Sequence, residues 1–237
     1  SKRDFKTQRG NVVLTGLTQT ITAGVDYVAP ASDTAAFIRI TNTNHTGAGH
    51  TVGGGAQDVE ETTVYILDPE NITTSITFSR ENTLNSTFVD WEIIEFIAQP
   101  DTDNEMIVRD AGTVDMGALT TATGATVAVD DDADVVVFVT GVSGTDTTDD
   151  FFSTQITSQW DAGTDSPVFT RDATGLAGAK ISYAVVEFTG VNWNVQRVEH
   201  TYTAAGVFET ESITPVASLN QTFIHSQKRM GDQSRVS

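Results

Sequence analysis

The chain has 237 residues, contains no cysteine and carries a formal net charge of −19. The lack of cysteine excludes disulfides and thiolate metal sites, and so acidic a chain is unsuited to binding nucleic acid through a broad face, because phosphate contacts need Lys and Arg. No apolar run approaches the roughly 20 residues that span a bilayer, and the first ten residues lack the apolar segment of a signal peptide. We therefore expect no nucleic-acid and no membrane partner.

Positive charge is concentrated at the two ends of the chain. The first ten residues carry +3 and the last ten +2, which leaves −24 for the residues between them. This distribution suits solubility or a salty medium, but it also suits arms that reach acidic faces of adjacent subunits and steer assembly electrostatically. The predicted assembly residues are Lys2, Arg3, Lys6 and Arg9 at the start, and Lys228, Arg229 and Arg235 at the end.

Short runs in which apolar and polar residues alternate predict β-strands along the chain. Clusters of Gly, Asn, Asp and Pro separate the runs and predict turns. The fold class is therefore all-β, with sandwich-like units in which two antiparallel sheets bury their facing sides. The predicted strands lie within residues 11–22, 35–41, 62–67, 75–80, 134–141 and 151–160.

An internal copy indicates duplication. The stretch VDWEIIEF at residues 89–96 returns as ISYAVVEF at residues 181–188, and Phe-x-Arg precedes both copies, at 78–80 and 169–171. A third unit begins near residue 196, and half a repeat cannot bury its own faces, so it needs the second repeat, a neighbouring subunit or further chain as a partner. The predicted segments are a basic N-terminal arm (1–10), two tandem antiparallel β-sandwich-like repeats (11–107 and 108–195) and a partial third repeat with a basic C-terminal arm (196–237).

Arginines are scarce between the two ends, so their placement is informative. Arg80 and Arg171 stand at equivalent positions of the two repeats. We predict that Arg80 pairs with Glu95, and Arg171 with Glu187, as structural ion pairs across neighbouring strands. The functional alternative is an arginine that binds a carboxylate ligand.

No recognisable catalytic or metal-binding pattern occurs in the sequence. The four histidines lack metal-motif spacing, and no Ser, His and Asp occur in the order that accompanies a nucleophile elbow. Acidic clusters at 101–105, 130–134 and 146–150 could supply oxygen ligands to Ca²⁺, but none has EF-hand spacing. We expect solvated loop charge there, no cofactor and no enzymatic activity.

Aromatic residues offer an alternative function. Trp91 and Tyr183 occupy the apolar side of their strands, which predicts core positions. Trp193 lies in the loop-like sequence GVNWN, so it is the candidate for an exposed glycan contact, together with the Gly-rich loop at residues 42–55. These residues define the alternative reading, a carbohydrate-binding adhesin or receptor-binding protein that contacts host surface glycans.

The combined motifs resemble a known class of module. Phe-x-Arg, a strand ending in WEIIEF or YAVVEF, and VQR at residues 195–197 are similar to modules repeated in structural proteins of tailed bacteriophage and archaeal virus particles. The first copy departs from the pattern, with MIVR at 106–109 in place of VQR. The resemblance implies a non-enzymatic virion protein that self-assembles in the capsid coat, as capsid decoration, or in the tail or a fibre, with other virion proteins as partners.

Overall fold

The computed structural model describes residues 5–45, 63–81, 86–97, 101–144, 154–171, 178–199, 212–216, 225 and 227. These residues form twelve β-strands and two single-turn 3-10 helices, which confirms the predicted all-β class. In the same part of the chain, no helix has the length and apolar character needed to span a membrane.

The strands fall into two sets of six. The first set is β1 (Phe5–Leu14), β2 (Thr18–Thr22), β3 (Ala36–His45), β4 (Tyr65–Ile66), β5 (Ser75–Ser79) and β6 (Thr87–Phe96). The second set is β7 (Ile107–Asp115), β8 (Thr121–Thr123), β9 (Val135–Gly144), β10 (Thr157–Asp161), β11 (Ser166–Thr170) and β12 (Ala179–Glu187). The 3-10 helices are Pro69–Asn71 and Asp132–Asp134.

Both sets have the same topology. In the first set, which we call module 1, the antiparallel sheets run β1-β6-β3 and β2-β5-β4. In the second set, module 2, they run β7-β12-β9 and β8-β11-β10. In each module the first and third strands pair with the last, and the second and fourth strands pair with the fifth. The two copied sequences are the central strands β6 and β12, so the duplication read from them is also present in the fold.

Each module buries a core between its two sheets. Along β6 the alternate residues Val89, Trp91 and Ile93 point inward, and each is at most 4 % exposed. In β12 the equivalent inward residues, Ile181, Tyr183 and Val185, are at most 2 % exposed. The two predicted core aromatics are therefore core residues, and burying a side chain of this size stabilises a fold by about 1.5–3 kcal/mol.

Two glycines make room for these aromatics. Gly10 in β1 lies opposite Trp91, and a Cβ at Gly10 would overlap the indole ring. Gly112 in β7 lies opposite Tyr183, and a Cβ there would stand 2.9 Å from the phenol oxygen. Both modules thus place a glycine on the first strand, where a side chain would collide with the central aromatic.

The boundaries differ from the predicted ones at the start of the chain. Strand β1 begins at Phe5 and pairs with β6 along its whole length. Residues 5–10 of the predicted N-terminal arm are therefore part of the sheet, and only 1–4 remain, which lie outside the described residues. The second set begins with Ile107, one residue before the predicted boundary at 108.

Candidate assembly interface

Glu95 and Glu187 lie at equivalent ends of the two central strands and hold the loop that precedes the third strand of each module. In module 1, the Glu95 carboxylate accepts a hydrogen bond from the Ala31 backbone N–H at 3.2 Å. It also forms an ion pair with Lys6 at 2.9 Å. Glu95 itself is 3 % exposed. One buried carboxylate therefore ties the first strand and the loop before β3 to the central strand.

Glu187 does the same in module 2 with more partners. It accepts the backbone N–H groups of Asp130 and Asp131, at 2.8 and 2.7 Å, and pairs with Arg109. The pKa of Arg109 is raised: burial alone would lower it, but the hydrogen bond to Glu187 and the charge of Glu187 outweigh that cost. Both glutamates that recur unchanged in the repeat are thus structural anchors.

The predicted pairing of Arg80 with Glu95 is wrong. Arg80 is 1 % exposed, and its guanidinium donates to the Gly16 carbonyl at 2.9 Å and to the Thr87 hydroxyl at 2.6 Å. Thr87 begins β6, whereas Glu95 lies eight residues further along the strand, about 26 Å away at 3.3 Å per residue. Arg80 therefore cannot reach Glu95 and instead braces the turn between β1 and β2.

The predicted pairing of Arg171 with Glu187 is wrong for the same reason. Arg171 is 1 % exposed and donates to the carbonyls of Leu119 and Gly117, at 2.9 and 2.7 Å, in the turn between β7 and β8. The two buried arginines are equivalent, as the repeat indicated. Their common role is to supply donors to turn carbonyls.

The predicted assembly residues Lys6 and Arg9 lie in β1 and bind carboxylates of their own chain. Arg9, whose side chain is 76 % exposed, and Arg39 on β3 both bind Glu92 of β6, at 2.6 and 2.7 Å. Burial would raise the pKa of Glu92, but the hydrogen bonds from Arg39 and Arg9 and their charges lower it. Lys2, Arg3, Lys228, Arg229 and Arg235 lie outside the described residues, so the arm hypothesis rests on those five.

The acidic cluster at 130–134 is occupied by protein partners. Asp130 binds Arg109, Asp131 accepts the Ala133 N–H, and Asp132 accepts the Trp160 indole N–H at 2.6 Å. Within the described ranges, no group of three or more His, Cys, Asp and Glu residues could hold a metal ion. The structure also describes the acidic cluster at 101–105, whereas the acidic cluster at 146–150 lies outside the described part of the chain.

Trp193 is not the exposed aromatic that the loop sequence predicted. Its ring packs edge-on against Phe188, with centroids 5.2 Å apart, beside the apolar cluster between the modules. Its indole N–H is buried. Trp193 is therefore partly buried rather than exposed, and most of the accompanying loop at 42–55 lies outside the described residues, so the glycan contact stays a prediction.

A third apolar cluster joins the two modules. Phe37 of β3 stacks on Phe138 of β9, with ring centroids 5.0 Å apart. The other buried members are Phe96, Met106, Val108, Ala184 and Val186, which come from both modules and the segment between them. Ala184 and Val186 on the outward side of β12 thus pack in an apolar cluster shared with module 1.

Beside this cluster, module 2 closes an open sheet edge of module 1. Strand β4 is an edge strand, and its Ile66 N–H donates to the Ser182 hydroxyl of β12 at 3.1 Å. The Thr63 carbonyl accepts the Ser143 hydroxyl at 3.2 Å, and Val64 forms an antiparallel bridge with Val142. Unpaired edge groups invite aggregation unless they are covered. Here the following module covers them.

A charged contact flanks the covered edge. Lys180 of β12 pairs with Glu81 of module 1 at 2.8 Å, and its ammonium lies 5.9 Å from the centre of the Tyr65 ring. The hydrogen bond to Glu81 raises the pKa of Lys180 despite its partial burial. The ion pair fixes the orientation of the two modules at the rim of their contact.

The same kind of edge in module 2 is covered from further along the chain. Ser158 of the edge strand β10 is equivalent to Ile66, because both lie opposite the Phe of Phe-x-Arg in the neighbouring strand. The Ser158 N–H donates to the side-chain carbonyl of Gln227, and the Gln227 amide in turn donates to the Val137 carbonyl at 3.1 Å. In both modules, residues from further along the chain therefore bind the edge strand.

A second recurring contact supports a third unit near residue 196. In module 1 the side chain of Gln8 exchanges two hydrogen bonds with the backbone of Val28, both 2.8 Å. Gln196 exchanges two with the backbone of Thr214, at 3.0 and 2.7 Å. Both glutamines precede an arginine, so the partial third repeat predicted from VQR has a counterpart in these contacts.

The residues of the interface carry little sequence signal on their own. Ser182, Ser143 and Gly141 look like ordinary polar or turn residues. Their role becomes visible only when the repeats are superposed, because module 1 has Asp90, Asn44 and Asn42 at those places. Small residues that replace larger ones on one face are the sign that another backbone approaches there.

Comparison with known proteins adds no relative to this description. No family model, no curated protein and no solved structure matches the chain. The resemblance to repeated virion modules therefore stays a prediction.

Proposed function

We propose that the chain is a non-enzymatic structural protein that assembles into a larger particle through its β modules. The observation that supports this most directly is the repeated edge closure: Ile66 is capped by Ser182, and Ser158 by Gln227. A chain in which every unit covers the edge of the unit before it is organised as an array, in which stability comes from neighbour contacts.

The polar groups of the described sites are used for holding backbone rather than for chemistry. Glu95 and Glu187 bind loop N–H groups, and Arg80 and Arg171 bind turn carbonyls. Groups that are held by structural partners are poor candidates for acid–base work, which needs a titratable group free to exchange a proton with a substrate. This favours a structural role over a catalytic one.

The particle we propose is a virion, on the strength of the sequence resemblance, with the protein in its coat, tail or fibre. Immunogold labelling of particles from the source, with an antibody against this chain, tests the proposal. Label over the head or along a tail shaft is expected. Label confined to a tip would instead favour the receptor-binding role, and preparations without labelled particles would contradict the virion proposal.

A further inference from the structure

We propose that this protein is adapted to fold in concentrated salt, where dissolved monovalent cations supply the countercharge of its acidic surface. The inference goes beyond the proposed function, because it concerns the medium in which the chain is stable and not what the chain assembles into. It distinguishes between the two explanations of the acidic composition, which are solubility and a salty medium.

The basic side chains of the described residues are already bound within the chain. Five of them form ion pairs with carboxylates: Lys6, Arg9, Arg39, Arg109 and Lys180. The other three donate to backbone carbonyls: Arg80, Arg171 and Arg197. In the described part of the chain, each cation is thus engaged by a carboxylate or a carbonyl of the same molecule.

Carboxylates greatly outnumber these cations. The described residues include 21 Asp and Glu against 8 Lys and Arg, and the whole chain has 32 against 13. The five ion-paired cations bind five carboxylates: Glu81, Glu92, Glu95, Asp130 and Glu187. Three of these, Glu92, Glu95 and Glu187, are at most 3 % exposed. Pairing therefore serves mainly buried carboxylates, and the exposed surface stays strongly negative.

Repulsion between neighbouring acids acts on Asp134. Burial raises its pKa, and the charges of Asp131 and Glu187 raise it further, whereas Arg197 acts in the opposite direction. A large net charge of one sign destabilises the compact state through this kind of self-repulsion. The folded chain therefore needs a source of positive charge in the surrounding solution.

Salt affects the exposed and the buried charges differently. The distance over which charges are screened is about 10 Å at about 0.1 M ionic strength and about 3 Å at about 1 M. Molar salt therefore screens the repulsion between exposed acids. The pairs of the buried carboxylates Glu92 and Glu187 are screened much less. Since salt removes repulsion and largely preserves attraction, it should raise the stability of the fold. If the acidity served solubility alone, stability would change little with salt.

Urea denaturation of the full chain across a series of KCl concentrations, followed by circular dichroism, tests the inference. Urea is uncharged, so it leaves the ionic strength unchanged. The urea midpoint should rise by about 1 M or more between about 0.1 M and about 2 M KCl. Sucrose at matched osmolality is the control, because it is excluded from protein surfaces but screens no charge. Sucrose should raise the midpoint less than KCl does.

A variant with a less acidic surface tests the cause. Glu70, Asp101, Asp103 and Asp165 are exposed, and the combined variant carries Glu70→Gln and the change Asp→Asn at the other three positions. Asp101 and Asp165 have φ angles of 58° and 48°, a conformation that Asn also adopts. The variant should have a higher urea midpoint than wild type in low salt and should gain less from KCl. The control, Glu70→Asp with Asp103→Glu, keeps the charge and should follow wild type.

Three results would each overturn the inference. They are a urea midpoint that stays constant or falls as KCl rises, an equal gain from KCl and from sucrose, and an equal gain from KCl in wild type and in the less acidic variant. Unfolding is measured on the single chain at low protein concentration. Its outcome is therefore independent of the proposed assembly, which the immunogold experiment tests separately.

Discussion

Glu187 shows how a single side chain organises a module. Its carboxylate is 1 % exposed and accepts two backbone N–H groups as well as the Arg109 guanidinium. Removing the charge of a buried acceptor leaves its donors without a full partner, which costs more than losing an exposed pair. We therefore expect substitution of Glu187 to lower the free energy of unfolding more than substitution of Asp130, the exposed carboxylate that also binds Arg109.

Glu187→Gln should lower the free energy of unfolding by about 2–4 kcal/mol, measured by urea denaturation. The control is Asp130→Asn, which makes the same acid-to-amide change in the other carboxylate that binds Arg109. The Asp130 side chain is 78 % exposed, so its loss should cost less than about 1 kcal/mol. Equal effects of the two substitutions would contradict the assignment of Glu187 as the anchor.

The limits of the sequence are clearest for Arg80. The scarcity of arginine and the repeat-equivalent position of Arg80 predicted a structural role, and its side chain is buried. Its partner was predicted wrongly because the spacing between Arg80 and Glu95 does not show which end of an antiparallel strand faces the arginine. The hairpin places Arg80 beside Thr87, at the start of β6. Register set by a turn is not visible in composition or periodicity.

At the scale of strands, the open edge of β4 explains why the two modules pack against each other. A two-residue edge strand such as β4 cannot protect itself, and the cluster around Phe37 and Phe138 brings β12 close enough to cover it. The alternating runs predicted most strands near their observed positions, including 75–80 for β5 and 134–141 for β9. The packing of β12 against module 1 depends on which side of each strand carries small side chains. That could be seen only once the fold was known.

Phe138→Ala should uncouple the modules. Phe138 is 4 % exposed and belongs to the cluster between them, not to either sandwich core. Removing a buried Phe side chain costs about 3–5 kcal/mol, so calorimetry should show one unfolding transition in wild type and two in the variant. Leu119→Ala, at a side chain that is 60 % exposed, should keep the single transition. A single, merely lower transition in Phe138→Ala would mean that the cluster is part of the module core.

Contact of the later chain with module 2 should weaken in acid. Burial, and then the charge of Arg39, lower the pKa of His225, whose ring lies 4.8 Å from that of Phe138. A histidine with a lowered folded pKa binds fewer protons when folded than when unfolded. Its contribution to stability is therefore present above about pH 6.5 and is lost as pH falls below that value towards the folded pKa.

Thermal melting between about pH 8 and pH 5.5 checks this. Wild type should lose stability across the lower half of that range, and His225→Phe, which keeps an aromatic ring against Phe138 but cannot titrate, should lose less. Identical pH profiles for the two proteins would show that His225 does not contribute in this way.

For the whole molecule, the central feature is an array with a direction. In both modules, residues from further along the chain bind the edge strand: Ser182 binds Ile66, and Gln227 binds Ser158. The duplication and the all-β class could be predicted from VDWEIIEF, ISYAVVEF and the alternating runs, whereas the third unit predicted from VQR stays a prediction. The direction of the array could not be predicted from the sequence. It depends on pairs such as Asp90 and Ser182, which occupy equivalent register positions but differ in burial: Asp90 is exposed and Ser182 is buried.

Amide hydrogen exchange at Ile66 tests this account most directly, because its N–H points away from its own sheet and towards Ser182 of module 2. We predict slow exchange in wild type, and much faster exchange in Phe138→Ala while the amide of Ile93, in the core of module 1, stays protected. Exchange of the Ile66 amide at the rate of a free strand edge in wild type, with Ile93 still protected, would contradict edge closure by the following module.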